Sequence, residues 1–250
     1  MTIFWSFLRS SLHMLWMGVT VVPYALLIIL CAAVGVGSAK RYRIASAWLG
    51  LVSLHAGRVI LGIETRITGL ENLPQGEKTP AVLLVKHQSA FEAFLMPAIM
   101  PHPLAYVFKK ELLYVPFFGW AIGLLDMIHI DRSLRTQAFK KVVAQGKERL
   151  EQGSWIIMFP EGTRVPRGQK GVYESSGTRL AVQTGAPVVP IAVTSGVCWP
   201  AKAFLKYPGV VHVSIGKPIP SEGRHHRELM QEVEAWIEAE MHRLDPDAYA

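Results

Sequence analysis

Ala81-Val82-Leu83-Leu84-Val85-Lys86-His87-Gln88-Ser89-Ala90-Phe91-Glu92 decides how this chain folds. Its first five residues form an unbroken apolar run, the mark of a buried strand. A helix is expected next, meeting Pro97, which cannot supply an interior helical hydrogen bond. A histidine therefore stands where a core strand ends, with a carboxylate five residues later. That is a home for a general base and its orienter. On a regular helix, positions i and i+5 point about 140° apart and meet poorly. With His87 ahead of the helix and Ser89 capping it, the two side chains converge. A carboxylate on one ring nitrogen leaves the other free to take a proton. The plainer alternative is a structural histidine beside a solvated glutamate.

Outward from this strand, short apolar runs recur at Leu104 to Phe108, Met127 to Ile130, Trp155 to Phe159, Val188 to Val193 and Val210 to Ile215. Ile63 to Leu70 alternates as a strand does, and Glu71 to Gly76 is a turn cluster. Helical patterns fill several gaps: Ser133 to Gln152 stopped by Gly153, Glu174 to Thr184 stopped by Gly185, and Ser221 to Leu244. Strands alternating with helices predict an α/β fold, a central mostly parallel sheet flanked by helices. Pro190 cannot donate to a ladder, so its strand belongs at an edge or carries a bulge.

Upstream, the thirty residues from Ser10 to Ala39 contain no Asp, Glu, Lys or Arg. As a helix they extend about 45 Å, against a hydrocarbon core of about 30 Å. They can span a bilayer with tilt, and Pro23 allows a kinked or re-entrant path. Lys40, Arg41 and Arg43 follow at once, which by the positive-inside bias places the downstream side in the cytoplasm. A cleaved signal peptide fits less well, because the stretch is long and cations follow it. Ile44 to Gly57 is shorter and reads as a helix lying in the membrane interface, or as a core helix. The chain thus divides into membrane-anchoring helices over 1–62 and a catalytic domain over 63–250.

Half of the residues are hydrophobic and 18% are charged, which excludes a disordered chain. The net charge of +7 points to anionic partners. Cys31 and Cys198 stand in unlike surroundings, so neither a disulfide framework nor a metal site is supported. The cations are scattered over several loops without a basic stripe or a recognised module, which argues against nucleic acid. A serine hydrolase lacks its G-x-S-x-G elbow here.

Three further loops can carry chemistry. Lys109 and Lys110 end a strand before the aromatic stretch Tyr114-Val115-Pro116-Phe117-Phe118-Gly119-Trp120. Asp131-Arg132 ends another strand, where α/β sheets place ligand groups. Phe159-Pro160-Glu161-Gly162-Thr163-Arg164 offers a glycine for close backbone approach, a hydroxyl, and a guanidinium suited to phosphate. Glu161 can hold that loop through backbone N–H groups. Each is an ordinary turn or a solvated pair on its own.

Together and in this order, the blocks resemble the glycerolipid acyltransferases, most closely the bacterial lysophosphatidate acyltransferases. His87 to Glu92 is similar to that family's H-x-x-x-x-D block, with Glu92 where most members carry Asp. Lys109 to Gly119, Phe159 to Arg164 and Val189 to Ile191 resemble its second, phosphate and V-P-I blocks, and Glu64 to Pro74, with Gly69-Leu70-Glu71-Asn72-Leu73-Pro74, its lead-in. The resemblance covers roughly residues 63–216. Secondary acyltransferases of lipid A share the first block but lack the Phe159 to Arg164 pattern.

The resemblance implies transfer of an acyl group from an acyl-CoA or acyl carrier protein thioester to the sn-2 hydroxyl of 1-acyl-glycerol-3-phosphate. It implies no metal or redox cofactor. His87 would be the base and Glu92 its orienter. Lys109, Lys110, Arg132, Glu161, Gly162, Thr163 and Arg164 would bind phosphate, with backbone N–H groups near Ser89 stabilising the oxyanion. The expected setting is the inner membrane, with the catalytic part on its cytoplasmic face. Rival readings are an acyltransferase for glycerol-3-phosphate or another lysophospholipid, and a non-catalytic protein that holds anionic lipid.

Overall fold

The computed structural model describes residues 3–130 and 135–249. One seven-stranded sheet runs in the order β1-β7-β6-β2-β5-β3-β4. The strands are β1 (Ile63–Thr68), β2 (Val82–Val85), β3 (Leu104–Lys109), β4 (Ile128–Ile130), β5 (Trp155–Met158), β6 (Val188–Val193) and β7 (Gly209–Ile215). All neighbours are parallel except β6 and β7. The expected mostly parallel sheet is therefore present.

Every residue of β2 and of β6 is buried, as strands covered on both faces require. Successive side chains alternate between the faces. Leu83 and Val85 join the core beside α3 (Phe91–Ile99), with Phe91 and Leu95. Val82 and Leu84 join the opposite core, under α5 (Arg135–Glu151), α6 (Ser176–Thr184) and α7 (His226–Leu244). The expected helix over Ser133 to Gln152 begins at Arg135 among the described residues. Gly185 closes α6 with φ +71°, the left-handed conformation that glycine adopts without strain.

Two prolines show how the sequence is accommodated. Pro190 lies in an interior strand, between β2 and β7, so an edge position is excluded. Ile191 pairs with Ile215, yet Val188 pairs with Ile219. Three steps on one strand face four on the other, so a bulge sits at the proline that cannot donate. Pro97 lies inside α3 and leaves the Ala93 carbonyl without its helical donor. The Tyr106 hydroxyl donates to that carbonyl at 3.1 Å, so the helix runs on to Ile99.

At the N-terminus, α1 (Ile3–Ala33) and α2 (Ser38–Gly50) form an antiparallel hairpin. Two wide π-type turns extend α2 to Leu61. The indole of Trp48 donates to Thr20 Oγ1 at 3.0 Å, and the His13 ring bonds the Val52 carbonyl at 3.0 Å. The hairpin is fixed to the sheet domain at both ends of α1. Ser10 Oγ accepts the Lys206 N–H at 2.9 Å, while Ala25 and Ile28 pack on Ala121 and Leu125, within and just after the short helix α4 (Phe118–Ile122). Ser10 and Ile28 lie about 27 Å apart along the axis. So α1 lies along the domain instead of leading away from it. Arg41 ties the hairpin turn down by donating to the carbonyls of Val36 and Leu124.

The outward side of α1 is bare and apolar, with Trp5, Leu12, Leu15, Val19, Leu26 and Leu30 exposed. An uncovered apolar stripe of that length marks an interaction surface. Along α2, Val52, Ser53, Ala56 and Gly57 are buried while His55, Arg58 and Val59 are exposed. This helix thus serves the core on one side and faces outward on the other.

Candidate active site

The parallel strands β6, β2, β5, β3 and β4 all present their carboxyl ends at one sheet edge, where open α/β sheets hold their ligands. His87 leaves β2 there. The ladder continues through Lys86, whose N–H donates to the Ile191 carbonyl at 2.9 Å. The loop after β5 then encloses His87 on three sides. The Phe159 ring stacks on the imidazole with centroids 3.9 Å apart and planes at 17°. Glu161 Oε2 accepts the His87 N–H at 2.7 Å. The Val165 N–H donates to the His87 carbonyl at 2.8 Å. Gly162 makes the turn possible, with φ +63° and its N–H donating to the Phe159 carbonyl at 3.0 Å.

Glu92 is fully buried, and its geometry corrects the expected pairing. Its Oε1 accepts the N–H of Gln88 at 2.6 Å and the hydroxyl of Ser195 at 2.6 Å. Both carboxylate oxygens accept the Ser89 N–H, at 3.0 and 3.1 Å, and Oε2 also accepts the Ser89 hydroxyl at 2.9 Å. No hydrogen bond joins Glu92 to the His87 ring, whose Nδ1 is buried without a partner among the described residues. The longer side chain of glutamate folds back on its own turn and satisfies the N–H groups nearest to it. Those same bonds occupy the Gln88 and Ser89 N–H groups, which removes them as oxyanion donors in this arrangement. The helix N-cap is Ala90 and not Ser89, although Ser89 Oγ accepts the Phe91 N–H at 2.8 Å. Burial raises the Glu92 carboxyl above its ordinary pKa, against the pull of the Ser195, Gln88 and Ser89 donors.

Burial and then the nearby Arg164 charge lower the His87 imidazole from 6.5 to about 3. The ring is thus held neutral, as a proton acceptor must be. Arg164 and Thr163 are exposed beside it, the position an incoming anion requires. Glu161 does not share that position. It is buried, its Oε1 lies 2.7 Å from the fully buried Lys86 ammonium, and its other oxygen holds His87. A carboxylate so placed repels phosphate and holds the loop instead, so its expected place among the phosphate ligands is corrected. Burial raises its carboxyl despite the lysine.

Lys109 ends β3 and is exposed. Lys110 opens the short 3-10 turn that follows. Arg132 lies outside the described residues. Sequence reading missed Lys86, Gln88 and Ser195. The Gln88 side chain accepts the Gly196 N–H at 3.1 Å, so the loop after β6 closes one flank of the site. The signal was available in Ser195 and Gly196, which follow an apolar strand just as His87 does.

Comparison with known proteins gives four findings. Residues 64–194 match the family model described as Acyltransferase. The chain is 47% identical over 192 residues to a 1-acyl-sn-glycerol-3-phosphate acyltransferase of Pseudomonas aeruginosa, covering 76% of this chain and 73% of that protein. With a protein of the same name from Saccharomyces cerevisiae it is 32% identical over 173 residues, covering 67% of this chain and 55% of the yeast protein. Among solved structures, the 1-acyl-sn-glycerophosphate acyltransferase PlsC from Thermotoga maritima superposes with a TM-score of 0.78, covering 95% of both chains at 24% identity. That likeness shows the shared fold, including the helices ahead of the sheet.

Proposed function

The chain belongs to the acyltransferase family, and we propose that it transfers an acyl group to the sn-2 hydroxyl of 1-acyl-glycerol-3-phosphate, giving phosphatidate. The observation that carries this reading is His87 at the carboxyl edge of the sheet, its ring stacked on Phe159 beside the exposed Thr163 and Arg164. His87 takes the proton of the acceptor hydroxyl as its oxygen attacks the thioester carbonyl. The C–S bond breaks, and the imidazolium returns the proton to the departing sulfur. No covalent acyl-enzyme forms. Arg164, with Lys109, grips the phosphate and so presents the hydroxyl to the base.

Arg164 does two opposed things. Its charge depresses the basicity of His87. A bound phosphate offsets that charge, so the base strengthens when the acceptor arrives. Glu92 acts through the backbone, fixing the turn that carries His87.

The donor is an acyl thioester of CoA or of acyl carrier protein. The apolar outer side of the hairpin rests in the membrane that supplies the acceptor. Lys40 and Arg43, at the hairpin turn, favour the cytoplasmic face of the inner membrane. The test supplies the purified chain with labelled acyl-CoA and, separately, 1-acyl-glycerol-3-phosphate, glycerol-3-phosphate and lysophosphatidylcholine. Labelled phosphatidate from the first acceptor is expected. Turnover confined to either of the others would contradict the reading.

A further inference from the structure

Lys86 is fully buried, with its ammonium 2.7 Å from Glu161 Oε1 and 2.7 Å from Glu238 Oε1 on α7. The Tyr173 hydroxyl donates to the same Glu238 oxygen at 2.7 Å. The far oxygen of Glu161 accepts the His87 N–H. A continuous polar chain therefore runs from the C-terminal helix through Glu238, Lys86 and Glu161 to the backbone of His87. Burying three charges is weak evidence for stability, since packed apolar residues often serve a core as well. What such a chain provides is a fixed geometry.

A second tie joins α7 to the same loop. Just past the helix end, Asp245 accepts two hydrogen bonds from the Arg167 guanidinium, at 2.7 and 2.6 Å. Gly168 lies so near the Ala248 carbonyl that a Cβ there would come within 2.4 Å of its oxygen.

From this arrangement we infer that Lys86 and Glu238 are positioning residues, through which α7 holds His87 in place for proton transfer. The inference rests on the acyl-transfer reading for its kinetic consequence but not for its structural one. The test uses the full-length chain with acyl-CoA and 1-acyl-glycerol-3-phosphate in mixed micelles, and the ¹H–¹⁵N amide signal of His87. Glu238→Gln is expected to shift that signal and lower kcat about tenfold, with the acceptor KM changed less than about twofold, because small misplacement of a base is costly to the chemical step. Glu161→Gln lowers kcat further, and the double variant is no slower than Glu161→Gln alone, since both act along one path. Tyr173→Phe, which removes one hydroxyl only, gives a smaller change of the same sign and serves if Glu238→Gln does not fold. An unmoved His87 amide in folded Glu238→Gln or Tyr173→Phe overturns the inference, as do effects on kcat that multiply in the double variant. A moved amide in a protein that transfers no acyl group would leave the positioning chain standing and overturn the functional reading.

Discussion

Ser195 Oγ donates to Glu92 Oε1 at 2.6 Å, joining residues 103 positions apart in the chain. Through this bond the loop after β6 braces the turn that presents His87. Glu92 is wholly buried, so each donor it loses leaves acceptor capacity that water cannot satisfy. Ser195→Ala is therefore expected to cost about 1.5–3 kcal/mol of stability, the range for hydrogen bonds to charged groups. Chemical denaturation measures this directly. A loss below about 0.5 kcal/mol, the level of a neutral surface change, would show that the brace carries little.

The sheet was legible in the sequence because its central strands are covered on both faces and read as unbroken apolar runs. Val188 to Val193 was bounded without error. The carboxyl ends of those strands then located His87, Lys109 and Arg164. Glu92 was found but misassigned, because sequence spacing shows that a side chain can reach and not which partner it takes. Four donors from Gln88, Ser89 and Ser195 compete with one imidazole, and only the folded turn shows that they prevail. Lys86 was hidden for a different reason. A lysine beside a candidate base reads as a solvated cation until Glu238, 152 residues away, is placed against it.

Burial and then Arg164 depress His87, and this fixes the sign of a titration. The folded value, about 3, lies below the ordinary 6.5. The imidazole is therefore neutral throughout the range between them, while an unfolded chain takes up a proton as pH falls through 6.5. In NMR the His87 ring is expected to show no protonation down to pH 5. Arg164→Ala removes one of the two causes and shifts the titration upward. The same variant chiefly raises the KM for the phosphorylated acceptor. A wild-type ring that titrates near 6.5, or an acceptor KM unchanged in Arg164→Ala, would remove Arg164 from this role.

The bare face of α1 calls for a membrane rather than for the sheet domain. Leu15→Glu with Val19→Glu places two charges on exposed positions, away from the contacts of Ser10, His13, Ala25 and Ile28. Sedimentation with anionic vesicles is expected to show at least about tenfold weaker binding, because charge in the apolar layer is strongly disfavoured. Unfolding of the domain should be unchanged. Undiminished vesicle binding would assign the attachment to another surface.

Tyr106 compensates for Pro97 by donating to the Ala93 carbonyl. Tyr106→Phe leaves that part-buried carbonyl without its donor, at a cost of about 0.5–1.5 kcal/mol. Thermal unfolding is the measurement. An unchanged Tm would mean that α3 satisfies the carbonyl in another way.

The central claim is that His87 takes the acceptor's proton, and His87→Ala tests it most directly. Transfer from labelled acyl-CoA to 1-acyl-glycerol-3-phosphate is compared in the wild type and the variant, with vesicle binding followed in parallel. Removing the base is expected to lower kcat by about 10²–10⁴-fold, while vesicle binding stays at the wild-type level because α1 does not involve His87. A variant that binds vesicles normally and still transfers acyl groups at close to the wild-type rate would contradict the claim.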